Sequence, residues 1–138
     1  MHAVYDVISG PAGEERDWNR MRSLFRPEAR LIPTGRMAQN APLRPFYWSL
    51  EEYIERAGPQ LESGGFFETE IHRKTERFGN IAHVFSTYES RRNADDPEPF
   101  MRGINSFQLF FDGDRWWVVN IYWQGEMPGN PIPDEYGG

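Results

Sequence analysis

The sequence predicts an α+β fold, with helices segregated onto one face of a curved antiparallel sheet. Three observations carry this. Helical periodicity is confined to the first half of the 138-residue chain, and the second half reads as four long strands. Two short turn signals, Gly79-Asn80 and Asp112-Gly113, join those strands in pairs.

Residues 1–9 read as a short helix with Val4, Tyr5 and Ile8 on one side, broken by Gly10-Pro11-Ala12-Gly13. Glu14 to Phe25 reads as a second helix, whose acidic start suits the positive end of the helix dipole. Trp18, Met21 and Phe25 fall at i, i+3 and i+7, with Leu24 beside them. Pro27 ends this helix, and Ala29–Thr34 is expected as a short strand. Gly35 to Trp48 lacks periodicity and carries Arg36, Arg44 and Phe46-Tyr47-Trp48; it reads equally as a lid or a packed crossover. Ser49 with Glu52 three residues on is a capping box, opening a helix with the stripe Leu50, Tyr53, Ile54, Ala57 and Leu61. Gly64-Gly65 closes it.

Strands are expected over Phe66–Phe78 and Ile81–Arg91. If Phe78 pairs with Ile81, then Glu76 faces His83, His72 faces Thr87 and Glu68 faces Arg91. That face, which also holds Glu70, Lys74 and Glu89, is charged and reads as solvated. The opposite face holds Phe67, Thr69, Ile71, Arg73, Ala82, Val84, Ser86 and Tyr88. After the polar loop Asn93–Pro99, the arms Ile104–Phe111 and Arg115–Trp123 flank a turn of two residues, Asp112-Gly113, or four, Asp112–Arg115. One face of this pair carries Asn105, Phe107, Leu109, Trp116, Val118, Asn120 and Tyr122. The other carries Ile104, Ser106, Gln108, Phe110, Trp117, Val119, Ile121 and Trp123. Both are largely apolar, so each calls for a cover: helices, a ligand or a second subunit. Residues 1–126 are expected as a single domain, and 127–138 as a Gly/Pro-rich tail without regular structure of its own.

A net charge of −6 argues against nucleic acid and against anionic membrane as partners. The absence of cysteine removes disulfides, thiolate catalysis and Cys-ligated zinc, and fits a reducing, cytoplasmic location. The first ten residues lack a basic segment followed by an apolar one, so no secretory signal is expected.

The element order, with G-x-N-S-F-Q-L at Gly103–Leu109 and D-G-D-R-W-W-V-V at Asp112–Val119, resembles the nuclear transport factor 2-like superfamily. In particular it resembles the polyketide-cyclase (SnoaL-like) branch, over residues 1–126. The resemblance implies a cone in which N-terminal helices pack on a strongly curved antiparallel sheet and enclose a pocket, the convex face often forming a dimer. Members include isomerases, dehydratases, cyclases and epoxide hydrolases beside binding domains that catalyse nothing, so the fold leaves the function open. The family's acid–base sets do not map onto the last two strands. The alternate polar positions there are Asn120 and Tyr122, and the assigned pocket face holds no Asp or Glu.

The first candidate site is Tyr88, Asn105, Asn120 and Tyr122, with Arg73 and Ser86 on neighbouring strands and Trp18 on a helix. Amides and phenols projecting into an apolar cone suit a ligand carbonyl or hydroxyl, or they satisfy one another and buried water. Tyr5, Asp6 and Asp17, with Trp18 beside Asp17, are the helix groups available for acid–base work; the plainer reading has Asp17 on the solvated side and Asp6 as a local turn former. His72, Glu76 and His83 share a face without metal-ligand spacing, and no metal or other cofactor is expected. Phe110, Trp117, Val119, Ile121 and Trp123 form an apolar strip suited to a homodimer interface, unless the tail or helices cover it. The reading is a homodimer that binds a small organic molecule in an apolar, aromatic-lined pocket. One alternative is a small enzyme of the cyclase, isomerase or dehydratase kind, with Tyr88 or Tyr122 polarising the substrate and a helix carboxylate as base. The other is a non-catalytic dimerisation module.

Overall fold

A computed structural model describes residues 1–138. Helix α1, His2–Ile8, buries Val4, Tyr5, Val7 and Ile8. Helix α2 starts at Trp18 rather than Glu14 and ends at Leu24, with the Asp17 carboxylate accepting from the Arg20 amide at 3.0 Å as its cap. The cause of the late start is Arg16, which turns inward and is only 4% exposed. Its Nε donates to the Ile8 carbonyl at 2.9 Å, and Nη2 donates to the carbonyls of Gly10 (2.8 Å) and Leu61 (2.7 Å). A helix running through residues 14–16 could not also deliver that side chain to the ends of α1 and the third helix.

Strand β1, Phe25–Gly35, takes over where Pro27 forbids helix. The segment after it folds back as two short strands, β2 (Arg44–Pro45) and β3 (Trp48–Ser49), both antiparallel to β1. Helix α3, Leu50–Gly64, opens on the complete capping box between Ser49 and Glu52, each bond 3.1 Å. Trp18 packs on α3 at Gly58, where a Cβ would meet the indole at 3.3 Å. Four long strands follow: β4 (Phe67–Phe78), β5 (Ile81–Arg91), β6 (Met101–Phe111) and β7 (Trp116–Gly125). At the β6–β7 turn the Asp112 carboxylate accepts from the Trp117 indole and from the backbone amides of Arg115 and Asp114, which holds it down at about 2.

The sheet order is β2-β1-β7-β6-β5-β4, with β3 also paired to β1. The meander β4–β7 is antiparallel throughout, whereas β1 joins β7 in parallel, so the curled sheet as a whole is mixed. The three helices lie against its concave face. There Val4, Tyr5, Met21, Tyr53 and Leu61 meet Leu31, Val84, Phe107, Val118 and Ile121, with Phe107 wholly buried. No helix is long and apolar enough to cross a membrane.

Two bulges overturn the expected face assignments. In β4–β5 the pairs Phe78–Ile81, Glu76–His83 and His72–Thr87 form as expected, but the register slips at Ile71, so Glu68 pairs with Ser90 and Glu70 with Tyr88. In β6–β7 the slip falls at Val119: Leu109 pairs with Val118, yet Gln108 pairs with Asn120 and Phe107 with Ile121. One inserted residue sends every side chain beyond it to the opposite face. Glu68 and Glu70 therefore leave the solvated face for the concave side. Ile121 and Trp123 turn into the cone, and Asn120 and Tyr122 turn out of it.

The C-terminal residues are not a free tail. They cross the convex face, where Ile132 is buried and a short 3₁₀ turn, Asp134–Tyr136, lands on β4 and β5. The Thr87 hydroxyl donates to the Tyr136 carbonyl at 2.7 Å, and the Tyr136 ring meets His72 and Phe85 edge to face.

Candidate functional site

The helices and the concave sheet enclose a cavity of about 110 Å³. Its walls are Val4, Tyr5 and Ile8 from α1, Met21 from α2, Leu31 from β1, Tyr53 from α3 and Phe66 just before β4. Strands β4 to β7 add Glu68, Tyr88, Ser90, Met101, Asn105, Phe107, Ile121 and Trp123. Glu68 is the only carboxyl in this lining, and no Lys, Arg or His joins it. Burial pushes its pKa up to about 8, although a hydrogen bond from the Asn105 amide acts in the opposite sense. At neutral pH this burial favours the protonated form of Glu68, a half-buried residue that also borders the outer groove. Burial likewise raises the Tyr5, Tyr53 and Tyr88 hydroxyls, with Glu68 adding to the effect, so all three remain uncharged. Ser90 is fully buried beside them, and its hydroxyl has no hydrogen-bond partner.

A polar chain leads outward from the cavity. Asn105 Nδ2 donates to the Tyr5 hydroxyl at 3.0 Å, and Tyr5 lies 2.6 Å from Ser86 Oγ. Ser86 donates its single proton to Glu70 Oε2 at 2.5 Å, so Tyr5 must be the donor to Ser86. Arg73 completes the chain, with Nε and Nη2 at 3.0 and 2.7 Å from Glu70 Oε1. Burial would raise the Glu70 carboxyl, but the hydrogen bonds from Arg73 and Ser86 outweigh it and hold the group below the usual carboxylate range. Two carboxyls two residues apart are thus shifted in opposite directions, Glu68 up by burial and Glu70 down by Arg73 and Ser86. Tyr5 and Glu68 also border an outer groove with His2, Asp6, Arg20 and Glu70.

A second, larger cleft of about 310 Å³ lies under the C-terminal segment on the convex side, bordered by Phe85, Ile104, Ser106, Tyr122 and Ile132. It holds no buried acid and no orphaned polar side chain.

No family model and no curated protein sequence matches the chain. Solved structures do. A Pseudomonas putida nuclear transport factor 2-like protein of unknown function superposes with a TM-score of 0.61, covering 96% of this chain and 84% of that one at 14% identity. The fold is nuclear transport factor 2-like. A Thiobacillus denitrificans protein proposed to be a calcium/calmodulin-dependent protein kinase type II association domain gives 0.62, at 11% identity and 91% of each chain. A Shewanella frigidimarina protein proposed to be a ketosteroid isomerase gives 0.51, at 14% identity, covering 78% of this chain and 80% of that one. Identities this low establish the fold alone.

Within this nuclear transport factor 2-like cone, the residues singled out in the sequence separate into three groups. Tyr88 and Asn105 line the cavity, and Ser86 lies one hydrogen bond behind it. Trp18 and Arg73 stand apart: the Trp18 indole donates to Glu62 at 3.0 Å, and Arg73 is engaged at the surface by Glu70. Asn120 and Tyr122 are on the convex face, carried there by the bulge at Val119, and Asn120 bonds Gln108. For the same reason Ile121 and Trp123 cannot belong to a convex interface, which leaves Phe110, Trp117 and Val119 of the expected strip. The helix carboxylates are also accounted for. Asp17 caps α2, and Asp6 pairs with Arg20 at 2.8 Å in the open. His83 pairs with Glu76 at the surface while His72 lies under Tyr136. Residues 36–47 do not reach the cavity lining.

Glu68, Tyr53 and Ser90 are the site residues that sequence reasoning missed, whereas Tyr5, one of the helix acid–base candidates, does line the cavity. Strict alternation along β4 assigns Glu68 to solvent, and nothing short of locating the bulge reverses that. Tyr53 falls on a buried helical stripe, where a phenol reads as core.

Proposed function

We propose that the protein is a small-molecule-binding domain acting as a homodimer, with its ligand in the cone between Glu68, Ser90 and the tyrosines. The observation that carries this reading is the Ser90 hydroxyl, fully buried in the lining without a partner. Leaving such a group unpaired costs about 1–3 kcal/mol, which a ligand polar atom would recover. The cavity, at about 110 Å³, is smaller than the roughly 300–1,000 Å³ of drug-sized sites, so the ligand has few heavy atoms. The dimer reading rests on the exposed apolar residues of the convex face, Phe85, Phe110, Val119 and Tyr122, beside the C-terminal segment.

A second reading, an enzyme of the SnoaL-like cyclase or isomerase kind, is favoured by one specific feature. Glu68 combines a raised pKa with neighbouring phenols, the arrangement general acid–base catalysis employs. Here the carboxyl comes from β4 and not from a helix.

Native mass spectrometry of gently purified protein tests the proposal. A dimer that carries a reproducible small mass, lost in a folded Ser90→Leu variant that fills the cavity, is the expected result. A bare monomer that takes up none of a panel of small fragments would overturn it.

A further inference from the structure

The cavity's chemistry is unusual in one respect: its single ionisable acid is surrounded by aromatic rings and has no cationic partner. Tyr5, Tyr53, Tyr88, Phe66, Phe107 and Trp123 line the same space as Glu68, and they come from both helices and sheet. Of the nearby cations, Arg73 is committed to Glu70 and Arg20 to Asp6, and the Met1 amine, beside Arg73 and Glu70, is outside the lining. From these observations we infer that the ligand is a small organic cation, an aliphatic ammonium, held by the Glu68 carboxylate and the surrounding aromatic faces. This rests on the proposed function above and names the ligand class for that same cavity.

An isolated charge in an apolar cavity is strongly disfavoured, and an unpaired carboxyl avoids that by staying protonated. An ammonium entering alone would meet the same penalty. If the Glu68 proton departs to solvent as the ammonium enters, the cavity remains neutral overall, and an ion pair with an added N–H···O hydrogen bond replaces the neutral acid. Ring faces carry negative charge density and attract the cation's alkyl-ammonium surface. The free Ser90 hydroxyl and the Asn105 amide are available to the carboxylate or to the ammonium's N–H groups.

An anionic ligand finds no cation in the lining. A neutral ligand would accept a hydrogen bond from protonated Glu68 but would leave the aromatic faces as plain walls. The groups that face Glu68 across the cavity are phenols and apolar side chains: Tyr5 of α1, Met21 of α2, Leu31 of β1, Tyr53 of α3, Tyr88 of β5, Asn105 of β6, and Ile121 with Trp123 of β7. None of these lining groups changes charge between pH 6 and 9; outside the lining, the Met1 amine, His2, Asp6, Arg20, Glu70 and Arg73 lie on the same side, so loss of the released proton in Glu68→Gln is what assigns it to Glu68.

Two ligands of equal size separate the possibilities: tert-butylammonium and tert-butanol, each with five heavy atoms. A dry cavity of about 150 Å³ holds benzene, so five atoms suit this one. Calorimetric titration into the full chain, in two buffers of different ionisation enthalpy, reports affinity and proton release together. The expected result is at least tenfold tighter binding of tert-butylammonium at pH 7, with release of close to one proton. Its affinity should rise about tenfold between pH 7 and pH 9, as Glu68 ionises unaided. Glu68→Gln should abolish the preference and the proton release while still binding tert-butanol, a control that also shows the variant is folded. Equal or tighter binding of tert-butanol by the wild type, or amine binding without proton release, overturns the ammonium assignment and leaves the pocket reading standing. If neither compound binds or shifts the methyl resonances of Met21, Met101 and Ile121, both readings fall.

Discussion

Ser86 Oγ donates to Glu70 Oε2 at 2.5 Å, from a strand position that simple alternation would place on the opposite side of the sheet from that carboxylate. The bulge at Ile71 makes the contact possible, and the same slip turns Glu68 into the cone. One irregularity thus brings both carboxyls to the concave side, Glu70 against Arg73 and Glu68 into the cavity lining.

Ser86→Ala removes the acceptor for the Tyr5 hydroxyl and a donor to Glu70. The variant should lose about 1–3 kcal/mol of stability, since buried polar groups are left short of partners. Tyr5→Phe breaks the same chain, so the double variant should lose less than the sum of the two single losses. Urea unfolding of the four proteins measures this.

Glu68 imposes a pH dependence whose sign is opposite to that of an ordinary paired carboxylate. Its folded pKa is about 8 against an ordinary 4.5, so between these values the folded state binds more protons than the unfolded one. Stability should therefore fall as pH rises through this window and level off above about pH 8, by on the order of a few kcal/mol. Glu68→Gln should flatten the dependence and be the more stable protein at pH 8. Thermal unfolding at a series of pH values checks both statements.

Arg16 closes the junction of α1, α2 and α3 by donating to three carbonyls from different segments. Arg16→Met leaves those acceptors buried and unpaired and should cost about 2–4 kcal/mol. The effect should exceed that of Arg22→Met, which breaks only an exposed pair with Glu51.

Gly103 is required by the phenol of Tyr88. A Cβ there would fall 2.4 Å from the Tyr88 hydroxyl and 2.5 Å from the Gln124 carbonyl. Gly103→Ala should destabilise the protein by about 1–3 kcal/mol and displace Tyr88 in the cavity wall. A change in Tyr88 ring resonances larger than at Tyr122 would show it.

Most of the fold is legible in the sequence because its signals are local. The Ser49–Glu52 capping box, the Gly79-Asn80 turn and the Phe78–Ile81 pairing all follow from residues within a few positions of one another. What escapes is what depends on distant partners. Arg16 is buried only because carbonyls from Ile8 and Leu61 converge on it, and the parallel pairing of β1 with β7 joins residues far apart in the chain. The candidate site was half legible for the same reason. Asn105 and Tyr88 sit where strand alternation puts them, because the extra residue of each pair lies on the other strand, Val119 on β7 and Ile71 on β4. Glu68, Asn120, Tyr122, Ile121 and Trp123 all lie beyond a bulge, counted from the turn that sets the register. Nothing in the residues around Ile71 or Val119 announces an extra position; no glycine marks either site.

The central claim is that Glu68 faces the cone interior as a neutral acid. A carbon-detected NMR pH titration of the glutamate side-chain carboxyls, with the Glu68 signal assigned by its loss in Glu68→Gln, tests it most directly. The account predicts a midpoint near 8 for that one signal. A midpoint near the ordinary 4.5 would place Glu68 in solvent and contradict the inward turn at Ile71.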